Sequence, residues 1–168
     1  MENRCQNEPS DIRVRLLKQD YVYTEVSLIA YKRENNQIIG VGKECNKYRE
    51  MTEDVVVESP LKYGLVSSYS CAVKMFQMFF QRASKEAGNK RISVFKPSVL
   101  VCINRNLDEV EQKAYEDCFL QAGAKYPVHI VNYDYERYIE ETKLYPDRAE
   151  FSKKIDIVVE IGKNDSMG

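Results

Sequence analysis

Residues 97–131 constrain the fold more tightly than any other stretch, because they read as a complete strand–helix–strand unit. Residues 98–103, Ser-Val-Leu-Val-Cys-Ile, are apolar almost without interruption, as expected of a strand covered on both faces of a parallel sheet. Asn104-Arg105-Asn106 breaks the run. Asn106 is placed to cap a helix, and Glu109, three residues on, can answer a second orphan N–H. Leu107, Val110, Ala114, Cys118, Phe119 and Ala122 then recur at three- and four-residue steps, which predicts an amphipathic helix with one apolar stripe. Gly123 offers the left-handed stop. Val128-His129-Ile130-Val131 returns as a second strand, and a right-handed crossover is the expected connection.

The rest of the chain agrees with one domain. Its 168 residues can bury about 70% of the surface an unfolded chain exposes. With 25 basic and 26 acidic residues, no long-range field draws it to nucleic acid or an anionic membrane. Cys5, Cys45, Cys71, Cys102 and Cys118 are odd in number and widely spaced, which reads as reduced thiols in a cytosolic protein. No C-x-x-C pair suggests zinc or redox work, and no metal is expected. There is no apolar run of about 18 residues and no signal-peptide core, so a cytoplasmic protein without a membrane span is expected.

Residues 1–11 are polar, include Pro9, and are expected to fray. Residues 12–17 alternate Ile12, Val14 and Leu16 with Arg13 and Arg15, predicting a half-buried strand. Residues 22–31 and 38–41 predict an antiparallel hairpin turned at Asn35-Asn36, followed by a short helix over 44–51. Residues 55–57 are a short apolar segment, and Gly64 closes a turn. Over 69–87 a wide apolar face at helical spacing predicts a long helix, in which Met75 and Met78 read as core filler. The loop that follows carries Lys85, Lys90, Arg91 and Lys96. It lacks the glycines and the Gly-Lys-Ser/Thr ending of a phosphate-binding loop, so a solvated surface is favoured over an anion site.

Five segments together resemble the MreB family of bacterial actins. They are Ser-Pro-Leu-Lys-Tyr-Gly-Leu-Val at 59–66, a helix holding Lys74-Met75, the apolar run at 99–103, Asp-Glu-Val-Glu-Gln-Lys-Ala at 108–114, and Gln-Ala-Gly-Ala at 121–124. Residues 27–44 are also similar to the family's early hairpin, with its Val-Gly pair at Val41-Gly42. The resemblance implies an α/β fold of the ribonuclease-H-like, actin-like kind: a mixed five-stranded sheet, an antiparallel hairpin followed by parallel strands, flanked by helices. It implies a single domain over 12–162, like the first subdomain of such an actin, and a tail at 163–168. By position, the family's first phosphate loop falls on Gln6, Asn7, Glu8 and Pro9, none of which suits it: proline and glutamate respectively remove an N–H donor and repel phosphate. The second phosphate loop falls on Glu160 and Gly162, with its other glycines replaced, and the expectation is a chain without the second half of an actin fold. The catalytic glutamate falls on Glu111. In the place of a helix start that packs near the nucleotide stand Tyr133, Tyr135, Tyr138 and, further on, Tyr145, which offer either a sticky surface or the packing face of the last helix, the second being favoured.

These residues predict no catalysis and no cofactor. Acidic groups such as Asp108, Glu109 and Glu111 in a first helical turn gain about 0.3–1 kcal/mol each from the helix dipole, a sufficient reason for their presence. His129, the sole histidine, has no nucleophile in an obvious constellation and reads as a packed or edge residue. Arg13 and Arg15 stand where a two-metal nuclease of this topology would need carboxylates. The expected function is therefore a non-catalytic MreB-like module that binds an unidentified protein partner, possessing no nucleic-acid role, as a monomer or a small closed homo-oligomer linked to cell shape. The alternatives are an ATP-binding actin-like protein, or half of a split actin-like ATPase completed by a partner chain.

Overall fold

Alternation at residues 11–16 and unbroken apolar runs near 100 and 158 converge on a single sheet. A computed structural model describes residues 9–50, 53–88 and 96–162. Its main sheet has the order β2-β1-β10-β8-β9, formed by β1 (Asp11–Leu16), β2 (Tyr21–Val26), β8 (Ser98–Ile103), β9 (Lys125–Val131) and β10 (Ile157–Gly162). β1 and β2 are antiparallel, β10 runs antiparallel to β1 and parallel to β8, and β8 is parallel to β9. This is the mixed five-stranded sheet expected. The unit predicted at 97–131 is present as β8, α2 (Glu109–Gln121) and β9.

Period-two alternation gives the sheet two buried faces. Ile12, Val14 and Leu16 of β1, Val99, Val101 and Ile103 of β8, and Ile157, Val159 and Ile161 of β10 share one core with α1 (Tyr69–Glu86) and α2. Phe76 of α1 and Phe119 of α2 meet there with ring centroids 4.4 Å apart. Met75 is fully buried in this core and Met78 packs on its margin. The other face presents Leu100, Cys102 and Val158 to Tyr138 of α3 (Tyr135–Leu144), with Phe151 of α4 (Pro146–Ser152) packed alongside. His129 on β9 lies with its ring centroid 3.7 Å from that of Phe151, a packed residue on an edge strand. Cys45, Cys102 and Cys118 are buried, and each is a free thiol, as is Cys71.

A smaller sheet, β4-β3-β5, is built from β3 (Ile29–Lys32), β4 (Ile38–Val41) and β5 (Val55–Glu58), with a short hairpin of β6 (Leu61–Lys62) and β7 (Leu65–Val66) after it. Two polar clusters fasten it to the main sheet. The Ser27 hydroxyl accepts from the Ser10 N–H at 2.8 Å and lies 2.8 Å from the Ser59 hydroxyl. Glu25 accepts from the Lys43 N–H at 2.6 Å and from the Tyr23 hydroxyl at 2.8 Å, while Arg82 of α1 donates to Glu44 at 2.6 Å. Gly42, at φ +76°, lets Glu25 reach this position: a Cβ there would stand 2.1 Å from its carboxylate oxygen.

The structure corrects several boundaries. Residues 22–31 do not form one hairpin arm, because the chain turns at Ser27; β2 pairs with β1, and β3 pairs with β4, with Asn36 at φ +59° in the turn as expected. The helix expected at 44–51 is a run of 3-10 turns over Gly42–Tyr48, and 55–57 is a strand. Fraying to residue 11 is overturned at its inner end, since Asp11 pairs with Gly162 and Ser10 is hydrogen-bonded; residues 1–8 and the tail at 163–168 lie outside the described residues. The cap of α2 is Asp108 rather than Asn106, because Leu107 packs against the core and delays the helix by two residues. Val110 is consequently 78% exposed, and the buried stripe runs through Tyr115, Cys118 and Phe119.

Truncating Phe119 to Ala is expected to cost about 3–5 kcal/mol in urea unfolding, because the ring is fully enclosed between two helices and the sheet. Burial holds His129 below its ordinary pKa of 6.5, so the unfolded chain takes up the proton first. The stability it contributes is intact above pH 6.5 and declines as pH falls through the window beneath. Thermal melts at stepped pH should show that decline in the native chain and a shallower one in His129→Gln.

Candidate functional site

Register places the carboxyl ends of the parallel strands together. Ile103 stands beside Ile161, Gly162 opposite Asp11, Asp11 opposite Val26, and Val131 beside Cys102. α2 and α3 begin just beyond this edge. Ligands in open α/β sheets gather at such an edge, where helix starts present N–H groups. Glu111, Glu160 and Gly162 are all brought to it by the fold. Pro9 precedes β1, and Gln6, Asn7 and Glu8 lie outside the described residues.

Each of these groups is already engaged with its own chain. Glu111 sits at the third position of α2, where its carboxylate accepts from the Asp108 N–H at 2.9 Å while its own N–H donates to the Asp108 carboxylate at 2.8 Å. That reciprocal pair is a capping box, so the side chain satisfies the helix start. α3 opens in a similar way, with the Arg137 N–H donating to the Asp134 carboxylate at 2.9 Å. Glu160 forms an ion pair with Arg15 on the neighbouring strand, and the Arg15 guanidinium lies 5.2 Å from the centroid of the Tyr135 ring. Tyr135 is itself held above the ordinary tyrosine range by burial. Gly162 is in the strand, and a Cβ built there meets nothing within 4 Å, so packing does not demand a glycine. Burial pushes Asp11 up, against the opposing pull of Arg13 and Lys43.

The described carboxylates at this edge are thus engaged by groups of the chain itself. Both helix starts carry a carboxylate of their own on the third N–H, where an incoming phosphate would meet like charge. The carboxylate of Glu160 in β10 is paired with Arg15. Among the described residues no group of three or more His, Cys, Asp or Glu could hold a metal ion. No helix among them is long and apolar enough to cross a membrane.

The tyrosines divide. Tyr138 is only 5% exposed and belongs to the core, which removes it from any interaction surface. Tyr133 and Tyr135 are half-buried against the same cluster, with the Arg137 guanidinium 4.5 Å from the Tyr133 ring centroid. Tyr145 is 53% exposed. Packing of the last helices accounts for the other three because the sheet's second face needs covering.

Two residues that matter here escaped the sequence reading. Asp108 is legible in retrospect, since Asp-x-x-Glu at 108–111 has the same capping-box spacing as Asn-x-x-Glu at 106–109. Arg15 carries no such signal: its partner is 145 positions away, and nothing local distinguishes it from Arg13.

Residues 10–135 match the family model described as MreB/Mbl protein. The cell shape-determining protein Mbl of Bacillus subtilis is 24% identical over 118 residues, which are 70% of this chain and 34% of that protein. The cell shape-determining protein MreB of Haemophilus influenzae is 30% identical over 114 residues, 64% of this chain and 31% of that one. Among solved structures, MreB5 of Spiroplasma citri bound to ADP superposes with a TM-score of 0.53 at 25% identity, covering 66% of this chain and 31% of that chain. The same protein bound to AMPPNP gives a TM-score of 0.63 at 21% identity over 81% of this chain and 39% of that one, a likeness of fold. The chain spans about a third of the length of the curated relatives it matches. Since the matched segment carries β1 to β9 and the first residue of α3, this actin-like chain belongs to the MreB/Mbl family.

Proposed function

We propose that this MreB-like domain is non-catalytic and works as a protein-interaction or scaffold module of a cytoplasmic cell-shape apparatus. The observation that carries this reading is the Tyr135–Arg15–Glu160 arrangement. A position that the resemblance assigns to the second phosphate loop is filled by a glutamate whose charge is met by Arg15 of the neighbouring strand, beneath an aromatic ring. The capping role of Glu111 supports it, because a side chain bonded to its own helix start is not aimed at an attacking water. A domain without nucleotide chemistry acts through its surface, and a protein partner is the class of ligand left to it.

A second reading has one observation in its favour: MreB5 of Spiroplasma citri, 25% identical, is a structure bound to ADP. Under it the chain binds ATP, alone or completed by a partner chain carrying the other half of an actin-like fold. Calorimetric titration with ATP and Mg²⁺ separates the two. No heat of binding at micromolar nucleotide is expected; a micromolar affinity abolished by Glu111→Gln would establish the second reading. Copurification of a stoichiometric actin-like chain from the native cell would show the split form.

The structural role of the same residues gives a companion measurement. Asp108→Ala should lower stability by about 1 kcal/mol, as losses of a helix cap do. Glu111→Gln should change it little, because glutamine serves the same position in a capping box.

A further inference from the structure

The lysines that look scattered in sequence are gathered by the fold. Register puts Leu16 beside both Tyr21 and Ile157, Val99 beside Ile157, and Ser98 beside Lys125, so these residues define the end of the sheet opposite Glu111 and Gly162. The Tyr21 hydroxyl donates to the Glu86 carboxylate, which brings the end of α1 to the same place. Five separate segments thus deliver Lys18, Lys85, Lys96, Lys125, Lys153 and Lys154 to one end, all exposed.

The acids there do not cancel them. Asp156 is taken by Lys18 at 2.9 Å and by the Ser98 N–H at 2.9 Å, and Glu86 by Tyr21. Asp20 is left. Lys85, Lys96, Lys125, Lys153 and Lys154 pair with no carboxylate among the described residues. The opposite edge is mixed in sign, with Asp11, Asp108, Glu109, Glu111, Asp134 and Glu136 standing among Lys43, Arg105 and Arg137, so the lysine end is the more one-sided of the two. Beside Lys125 stands Tyr126, 77% exposed.

We infer that this lysine-rich end is a docking surface for an acidic protein segment that seats an apolar side chain on Tyr126. The inference rests on the interaction reading above and supplies it with a partner chemistry. The described lysines of this end are point charges on mobile stems, which suit carboxylates on a flexible chain. Tyr126, even with the partly exposed Tyr21 of the same end, is too little stacking surface for a nucleic-acid strand and too little apolar area to hold a bilayer. It is sufficient for an interface anchor, the role in which exposed tyrosine is enriched.

The test is fluorescence anisotropy on the full chain, with a labelled oligoglutamate peptide carrying one central leucine as probe. Phosphatidylserine vesicles and a labelled single-stranded DNA serve as rival probes. The peptide should bind at low salt and weaken as salt is raised. The triple variant Lys125→Glu, Lys153→Glu, Lys154→Glu should weaken it by about tenfold or more, and the corresponding glutamine triple by less, since it removes attraction without adding repulsion. Charge reversal elsewhere, at Lys32, Lys47 and Lys62, should change affinity by about twofold at most if the surface is local. Absence of peptide binding at low salt overturns the inference, as do equal losses in the two reversed triples, or tighter binding of vesicles or DNA through the same lysines. Nucleotide binding by calorimetry with peptide binding intact would remove the non-catalytic reading and leave this surface standing.

Discussion

The main sheet depends on one strand. β10 is hydrogen-bonded to β1 on one side and β8 on the other, and among the described residues no other strand joins the β1–β2 half to the β8–β9 half. Its partners on β1 lie about 145 residues earlier in the chain, a pairing favoured only after nearly all the intervening chain is in place. Its buried side chains alternate between both cores, Ile157, Val159 and Ile161 on one and Val158 on the other. β10 also lies outside the segment that matches the MreB/Mbl family model. The recognisable part of the chain thus supplies four of the five strands, and the strand that unites them comes from beyond it.

Around that strand, carboxylates at the helix starts and on β10 are engaged by the chain itself. A carboxylate near a helix start is stabilised by the helix dipole and by unsatisfied N–H groups whether or not a phosphate is present. Asp108, Glu111 and Asp134 all use that advantage. Glu160, partly withdrawn from water by its neighbours, needs an opposite charge, and Arg15 supplies it from the adjacent strand. Tyr135 then covers the guanidinium and joins the packing of the second face. One set of side chains thus closes the edge of the sheet and anchors two helices.

Much of this was legible from the residues. The unbroken apolar run at 98–103, the alternation at 12–16, the wide apolar face of 69–86 and the breaks at Asn104 and Gly123 located elements within a few residues. Boundaries slipped where a tertiary contact overrode a local signal: Leu107 entering the core moved the α2 cap from Asn106 to Asp108, and the turn at Ser27 divided one expected arm between two sheets. The tyrosines of 133–138 were read as surface or packing, and burial decided for packing.

What the sequence determined by itself was the inventory of elements and the family likeness, because periodicity and capping chemistry are local and act over a turn or a pair of strand residues. Only the tertiary structure decided which charges meet. Arg15 reached Glu160, and Lys18, Lys96, Lys125 and Lys153 came to one end, because strand register fixes neighbours between residues whose separation along the chain carries no periodic trace.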